Sequence, residues 1–247
     1  MKITMKAALK QKLRSVKAQV LGEYDKIRKA DDEESEIERI LKGIKIDWSD
    51  VAQEVDPLLV QMARDGVKAA ADQLNVDIGV STDLANKRAE KWAHERAAEL
   101  VGMKWVDGEL VDNPNPAWSI ADSTRDMIRS DVATAIEEGW SNDKLAAALE
   151  ENYAFSPERA ETIARTETAA ADVQGNVEAY QAAQEMGIRL MKKWITADDD
   201  KVSDECRENG EQEPIPMDDE FSSGAMWPPQ HPNCRCDILP LVEDQDE

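Results

Sequence analysis

The chain has 247 residues, 41% of them hydrophobic and 33% charged, which at roughly 150 residues per domain means one or two soluble domains. No stretch approaches the roughly 18 uncharged apolar residues of a membrane span, and the charged N-terminus MKITMKAALKQKLRSVKAQV lacks the apolar run of a secretory signal, so the chain reads as cytoplasmic. A net charge of −22, from 30 basic and 52 acidic side chains, repels nucleic acid and anionic membranes over most of the surface.

That charge is unevenly spread. Residues 1–29 hold nine basic side chains against Glu23 and Asp25, a net of +7, whereas residues 196–247 hold sixteen acidic ones against Lys201, Arg207 and Arg235, a net of −13. Opposite charge at the two ends points to two different contact surfaces. In the basic segment Met5, Leu9, Leu13, Val16, Val20, Tyr24 and Ile27 recur at spacings of three and four, which predicts an amphipathic helix that packs on its own domain or meets a partner helix or polyanion. The acidic stretch Asp31 to Glu36 follows as a linker or helix start. Further helices are predicted over about 49–74, with Pro57 at a first turn or kink, and over about 82–101.

Residues 102–116, GMKWVDGELVDNPNP, carry the turn formers of an exposed loop or small hairpin and mark the main internal boundary. Beyond it Ile120, Met127, Ile128, Val132 and Ile136 trace a helix stopped by Gly139, and Ser141 caps a short helix through Leu149. Ser156-Pro157-Glu158 starts a long helix running to Gly187. Strands are predicted at Ile188 to Thr196 and at Asp237 to Leu241, within a tail rich in proline. Such a tail has too little apolar content to hold a core unaided and needs docking onto the helices or a metal staple. Trp194 and Trp227 are read as packing the C-terminal module onto the helices, and Arg165-Thr166-Glu167 with Arg159 and Glu161 as salt links on a helix face or as a set that pairs helices or touches phosphate.

Cys206, His231, Cys234 and Cys236 form a dense set of soft metal ligands in the segment that needs a staple, and four thiolate or imidazole ligands satisfy tetrahedral zinc. Cys234-Arg-Cys236 is tighter than a Cys-x-x-Cys knuckle, and the bland reading makes the cysteines small strand-end residues. Asp198, Asp199 and Asp200, beside Asp204 and Glu205, are oxygen ligands for a hard cation or simply a solvated turn. A Gly-rich dinucleotide loop, a phosphate-binding Walker loop and a nucleophile elbow are all missing. A cysteine nucleophile would have only His94 or His231 as its base.

The ordered set IARTETAAADVQGNVEAYQ, KKWIT with its acidic turn, Cys206-Arg-Glu-Asn209-Gly210, Phe221 before Ser-Ser-Gly, and PPQHPNCRC resembles the Mu F-like head morphogenesis family, the minor head proteins of tailed bacteriophages, over about residues 120–242. That family often carries a Cys-x-x-Cys pair before the terminal His-Pro-x-Cys-Arg-Cys; here the first position is Ser203 and the second Cys206. The resemblance implies a virion protein of few copies at or near the portal vertex of the phage head, assembled in the host cytoplasm. Its implied partners are portal, major coat or scaffold proteins, it contacts no membrane, and it aids head assembly and DNA packaging or delivery. Zinc held by Cys206, His231, Cys234 and Cys236 would be structural, with no catalytic residues and no enzymatic activity expected.

The expected architecture is mainly α. A variable helical region spans 1–101 and a loop or linker 102–116. A Mu F-like domain follows over 117–247, divided into helices 117–187, a loop-rich α+β Cys/His module 188–242 and an acidic tail 243–247. Two rival functions stand beside it. One is a metal-dependent hydrolase or nuclease using His231, Cys234, Cys236 and the Asp198 cluster; the other is a DNA-binding adaptor working through residues 1–29.

Overall fold

A computed structural model describes residues 2–27, 34–44, 47–74 and 79–242. Over the described residues it is mainly helical, with eight α-helices and two small antiparallel sheets. The helices are α1 (Lys2–Ile27), α2 (Glu34–Gly43), α3 (Ser49–Leu74), α4 (Gly79–Glu99), α5 (Ile120–Glu137), α6 (Asn142–Glu151), α7 (Pro157–Glu185) and α8 (Asp204–Glu211). The strands are β1 (Met103–Val106), β2 (Glu109–Asp112), β3 (Leu190–Ile195), β4 (Ile215–Pro216) and β5 (Asp237–Val242). Arg28, Lys29, residues 31–33 of the acidic stretch and the tail 243–247 lie outside the described residues. The chain divides into two compact units, Met1–Asp56 with Glu95–Glu161 and Pro57–His94 with Thr162–Glu247.

In the first unit the predicted stripe of α1 is the buried one: Met5, Leu9, Leu13, Val16, Val20 and Tyr24 all lie in the core. The Tyr24 hydroxyl donates to the carbonyl of Ala135 at 2.7 Å, giving the buried ring a polar exit. The basic face of α1 is tied inward as well, because Lys6 pairs with Glu161 at 2.6 Å, Lys12 with Asp50 at 2.5 Å and Lys17 with Glu150 at 2.8 Å. Asp107-Gly108, both at positive φ, form the two-residue turn between β1 and β2, so the segment 102–116 contains a hairpin. Ser119 and Ser141 cap α5 and α6 by accepting the amides of Asp122 and Lys144. Met127 is exposed rather than inward, its place on the buried face being taken by Thr124 and Ala135.

Arg159 departs from the predicted surface salt links. It is buried, and its guanidinium donates to Thr124 Oγ1 at 2.9 Å, to the carbonyl of Ala154 at 2.9 Å and to Ser123 Oγ at 2.8 Å. A guanidinium carries five donors in a fixed fork, so a single side chain joins the starts of α5 and α7 to the turn at Tyr153–Phe155. Burial lowers its pKa from the ordinary arginine value.

In the second unit α3 and α7 cross in backbone contact. A Cβ on Gly66 would strike the carbonyl oxygen of Asp172, and one on Gly175 would strike that of Ala63. Pro57 sits inside α3, beyond its first turn. Because backbone has no rotamer with which to yield, Gly175→Val should push the two helices apart and cost about 3 kcal/mol or more, read as a lowered urea midpoint at unchanged m-value. Nearby, Asp172 is pushed up to about 6, first by burial and then by the charges of Asp237 and Asp65. A carboxyl whose folded pKa lies above its unfolded value contributes stability below the unfolded pKa, and that contribution is lost as pH rises toward 6. Asp172→Asn should therefore stabilise the protein at pH 7 by about 1 kcal/mol after allowance for solvent screening, with the gain vanishing near pH 4; equal melting shifts at both pH values would contradict it.

The small sheet runs in the order β4-β3-β5, all antiparallel, with Trp194 opposite Ile238 and Lys192 between Ile215 and Pro240. Alternation along β3 buries Leu190, Lys192 and Trp194. Lys192 is enclosed: its ammonium donates to the carbonyl of Met226 at 2.8 Å and lies 5.2 and 5.4 Å from the ring centres of Phe221 and Trp227. Trp194 packs inside this module, edge-on to Phe221 at 5.0 Å, in one cluster with Cys206, Cys234 and Cys236. The module thus has a core of its own, built from aromatic rings and thiols, and the reading of Trp194 as a clasp onto the helices is replaced.

Candidate metal centre

Three local devices bring the soft ligands together. Ser203 caps α8, its Oγ accepting the amide of Cys206 at 3.3 Å, which holds Cys206 in the first turn. His231-Pro-Asn-Cys234 closes as a turn in which the Cys234 amide donates to the His231 carbonyl at 3.1 Å, with Asn233 at φ 60, a left-handed conformation that asparagine tolerates. The turn is pinned to α7 by two threonines: the Asn233 amide donates to Thr166 Oγ1 and its side-chain Nδ2 to Thr162 Oγ1, each at 3.0 Å. These threonines lie in the segment IARTET, where they look like ordinary polar helix positions, and nothing in the sequence marks them as partners of the Asn233 turn.

Cys206 Sγ lies 3.8 Å from Cys234 Sγ and 3.3 Å from His231 Nε2. All three ligand atoms fall within 4.8 Å of one another, and no other such group occurs among the described residues. Zinc bonds of about 2.3 Å to sulfur and about 2.0–2.1 Å to nitrogen set tetrahedral edges of about 3.8 Å between sulfurs and about 3.6 Å between sulfur and nitrogen. The observed spacings match the first and fall slightly inside the second. The His231 Nδ1 is 2.9 Å from the carbonyl of Pro232. A carbonyl only accepts, so the proton sits on Nδ1 and the Nε2 lone pair faces the sulfurs, the tautomer a metal requires.

Cys236 lies outside the three-atom group and is buried against Trp194 and Cys234. Its thiol donates to the Cys234 sulfur, which with backbone amides holds Cys234 down to about 5 against the opposing effect of burial; the donating Cys236 is itself pushed up. Burial raises Cys206. Behind Cys206, the Gln230 side-chain amide donates to its sulfur at 3.4 Å. Gln230 is oriented in turn by Ser223 Oγ at 2.8 Å and by the fully buried Asn209, whose Nδ2 donates to Ser223 Oγ at 2.8 Å and whose Oδ1 accepts the Ser223 amide at 3.2 Å. Asn209 and Gln230 were not legible as supporting residues, because a polar residue in a loop looks the same whether it faces water or sulfur.

The acidic run does not join the cluster. Asp199 is gripped by Arg235 through two bonds of 2.6 and 2.5 Å, which hold its carboxyl well down, to about 2, and Asp198 and Asp200 are exposed. His94 is an exposed residue of α4 and belongs to no such group. The arrangement can hold a soft divalent cation between two sulfurs and an imidazole.

Comparison with known proteins gives two findings. Residues 126–239 match the family described as Phage Mu protein F like protein. A relative from Enterococcus faecalis, named NAD(+)--arginine ADP-ribosyltransferase EFV, is 27% identical over 131 residues, which is 49% of this chain and only 27% of that protein's length. No solved structure matches. The name of that relative is an enzyme's, and it overturns the expectation of a chain without enzymatic activity, which is withdrawn.

Proposed function

We propose that the protein is a minor head protein of a tailed bacteriophage, acting in head morphogenesis at or near the portal vertex, on the strength of residues 126–239, which match the Phage Mu protein F like family. The observation that carries the reading is the family match, which spans α6, α7, α8 and every cysteine of the Cys/His module. Portal, coat or scaffold proteins are the partners proposed, with a role in DNA packaging or delivery. In this reading zinc on the Cys206–His231–Cys234 group staples a module that combines few apolar residues with a strong negative charge, and the tetrahedral spacing of the donors supports it.

Direct DNA contact through residues 1–29 has less behind it, since Lys6, Lys12, Lys17 and Lys26 are engaged in ion pairs within the protein. Quantitative mass spectrometry of purified, DNA-filled particles tests the main reading. A few to a few dozen copies per particle, counted against portal and coat, support a minor head protein; absence from particles sinks it. The Enterococcus faecalis relative favours a second reading, transfer of ADP-ribose from NAD+ to arginine. Release of nicotinamide by the purified chain with an arginine acceptor supports that activity, and NAD+ left intact removes it.

A further inference from the structure

Ser203 does more than cap α8. Its Oγ lies 3.1 Å from His231 Nε2, close to the roughly 3.4 Å edge between nitrogen and oxygen ligands of one tetrahedral zinc, and it accepts the Cys206 amide at 3.3 Å. Ser203 Oγ therefore lies beside the His231 corner of the Cys206–His231–Cys234 group. Cys236, the fourth soft ligand in sequence, is outside the group of mutually close donors and lies in one buried cluster with Trp194 and Phe221.

We propose that the metal centre has three protein ligands, Cys206 Sγ, His231 Nε2 and Cys234 Sγ, and that its fourth position is an exchangeable oxygen position held by the Ser203 hydroxyl, open to water or a small anion. The inference rests on the zinc reading above. It changes what the centre can do, because a site closed by four protein ligands is purely structural, whereas one with an exchangeable position can bind an exogenous ligand. Cys236 then packs in the buried cluster beside the ligand sulfurs without contacting the metal.

Cobalt(II), which reports thiolate count through its sulfur-to-metal absorption, is the probe, applied to the full-length protein. Cys236→Ser should leave the band unchanged, Cys206→Ser and Cys234→Ser should each halve it, and Ser203→Cys should raise it by half and tighten zinc at least tenfold. Thiocyanate should shift the visible bands of the parent protein and not those of Ser203→Cys. A band that drops by a third in Cys236→Ser, or fails to rise in Ser203→Cys, means that Cys236 is the fourth ligand and overturns the proposal while leaving zinc binding intact. The Ser203→Cys arm decides the matter even if Cys236→Ser does not fold. A parent protein that takes up neither cobalt nor zinc sinks the zinc reading itself.

Discussion

Replacing Trp194 with alanine should cost about 3–5 kcal/mol and dissolve the C-terminal module's core. The ring is buried at 1% exposure, stacks edge-on against Phe221 at 5.0 Å and shares one cluster with Cys206, Cys234 and Cys236. The side chains around it, Phe221, the three cysteines and the partly buried Val202, Ile215 and Ala225, are each too small or too tied to their own elements to refill the volume of an indole. Trp194→Phe keeps most of the apolar area and should cost roughly half as much. Urea unfolding followed by far-UV circular dichroism measures both. A loss under 1 kcal/mol for Trp194→Ala would mean that the aromatic–thiol cluster is not what holds the module together.

The elements that were legible are those whose signal is local. Apolar spacing located α1, and the hydroxyl-then-helix pattern at Ser141 and Ser156 located two helix starts, since in each the side-chain oxygen accepts an amide three residues on. The two strands of the module were found nearly to the residue, β3 beginning at Leu190 where 188 was expected and β5 ending at Val242 where 241 was expected. What escaped depends on contacts distant in sequence. Helix α8 is eight residues of mostly charged and polar type, so nothing apolar announces it, and its buried face reduces to Cys206 and Asn209. Lys192 occupies an inward register position because a carbonyl and two rings receive its ammonium, partners 29 to 35 residues away along the chain. Arg159 is inward for the same kind of reason. The candidate site was legible as a set of ligand types, but which of the four cysteine and histidine side chains converge depends on the turn at Asn233 and the cap at Ser203, and neither can be weighed without coordinates.

Removal of metal should produce the other large effect. If zinc is held at a concentration a thousandfold above its dissociation constant, mass action alone stabilises the folded state by about 4 kcal/mol, which for a chain of this size is a melting shift of roughly 10 °C. Stripping the purified protein with a chelator should lower its melting temperature by about that much, and one equivalent of zinc should restore it. Cys234→Ser, left with one sulfur donor, should bind zinc more weakly, melt below the loaded parent and gain less from added zinc, because its sulfur supplies one edge of the donor triangle. The sign of the pH dependence follows from the donors: both sulfurs bind as thiolates, and burial raises the Cys206 thiol, so protons compete with the metal and the difference between loaded and stripped protein should shrink as pH falls. A melting temperature indifferent to chelator at pH 7.5 would leave the module standing on its aromatic–thiol core alone, and the short sulfur–sulfur and sulfur–imidazole distances would then be packing contacts among buried side chains.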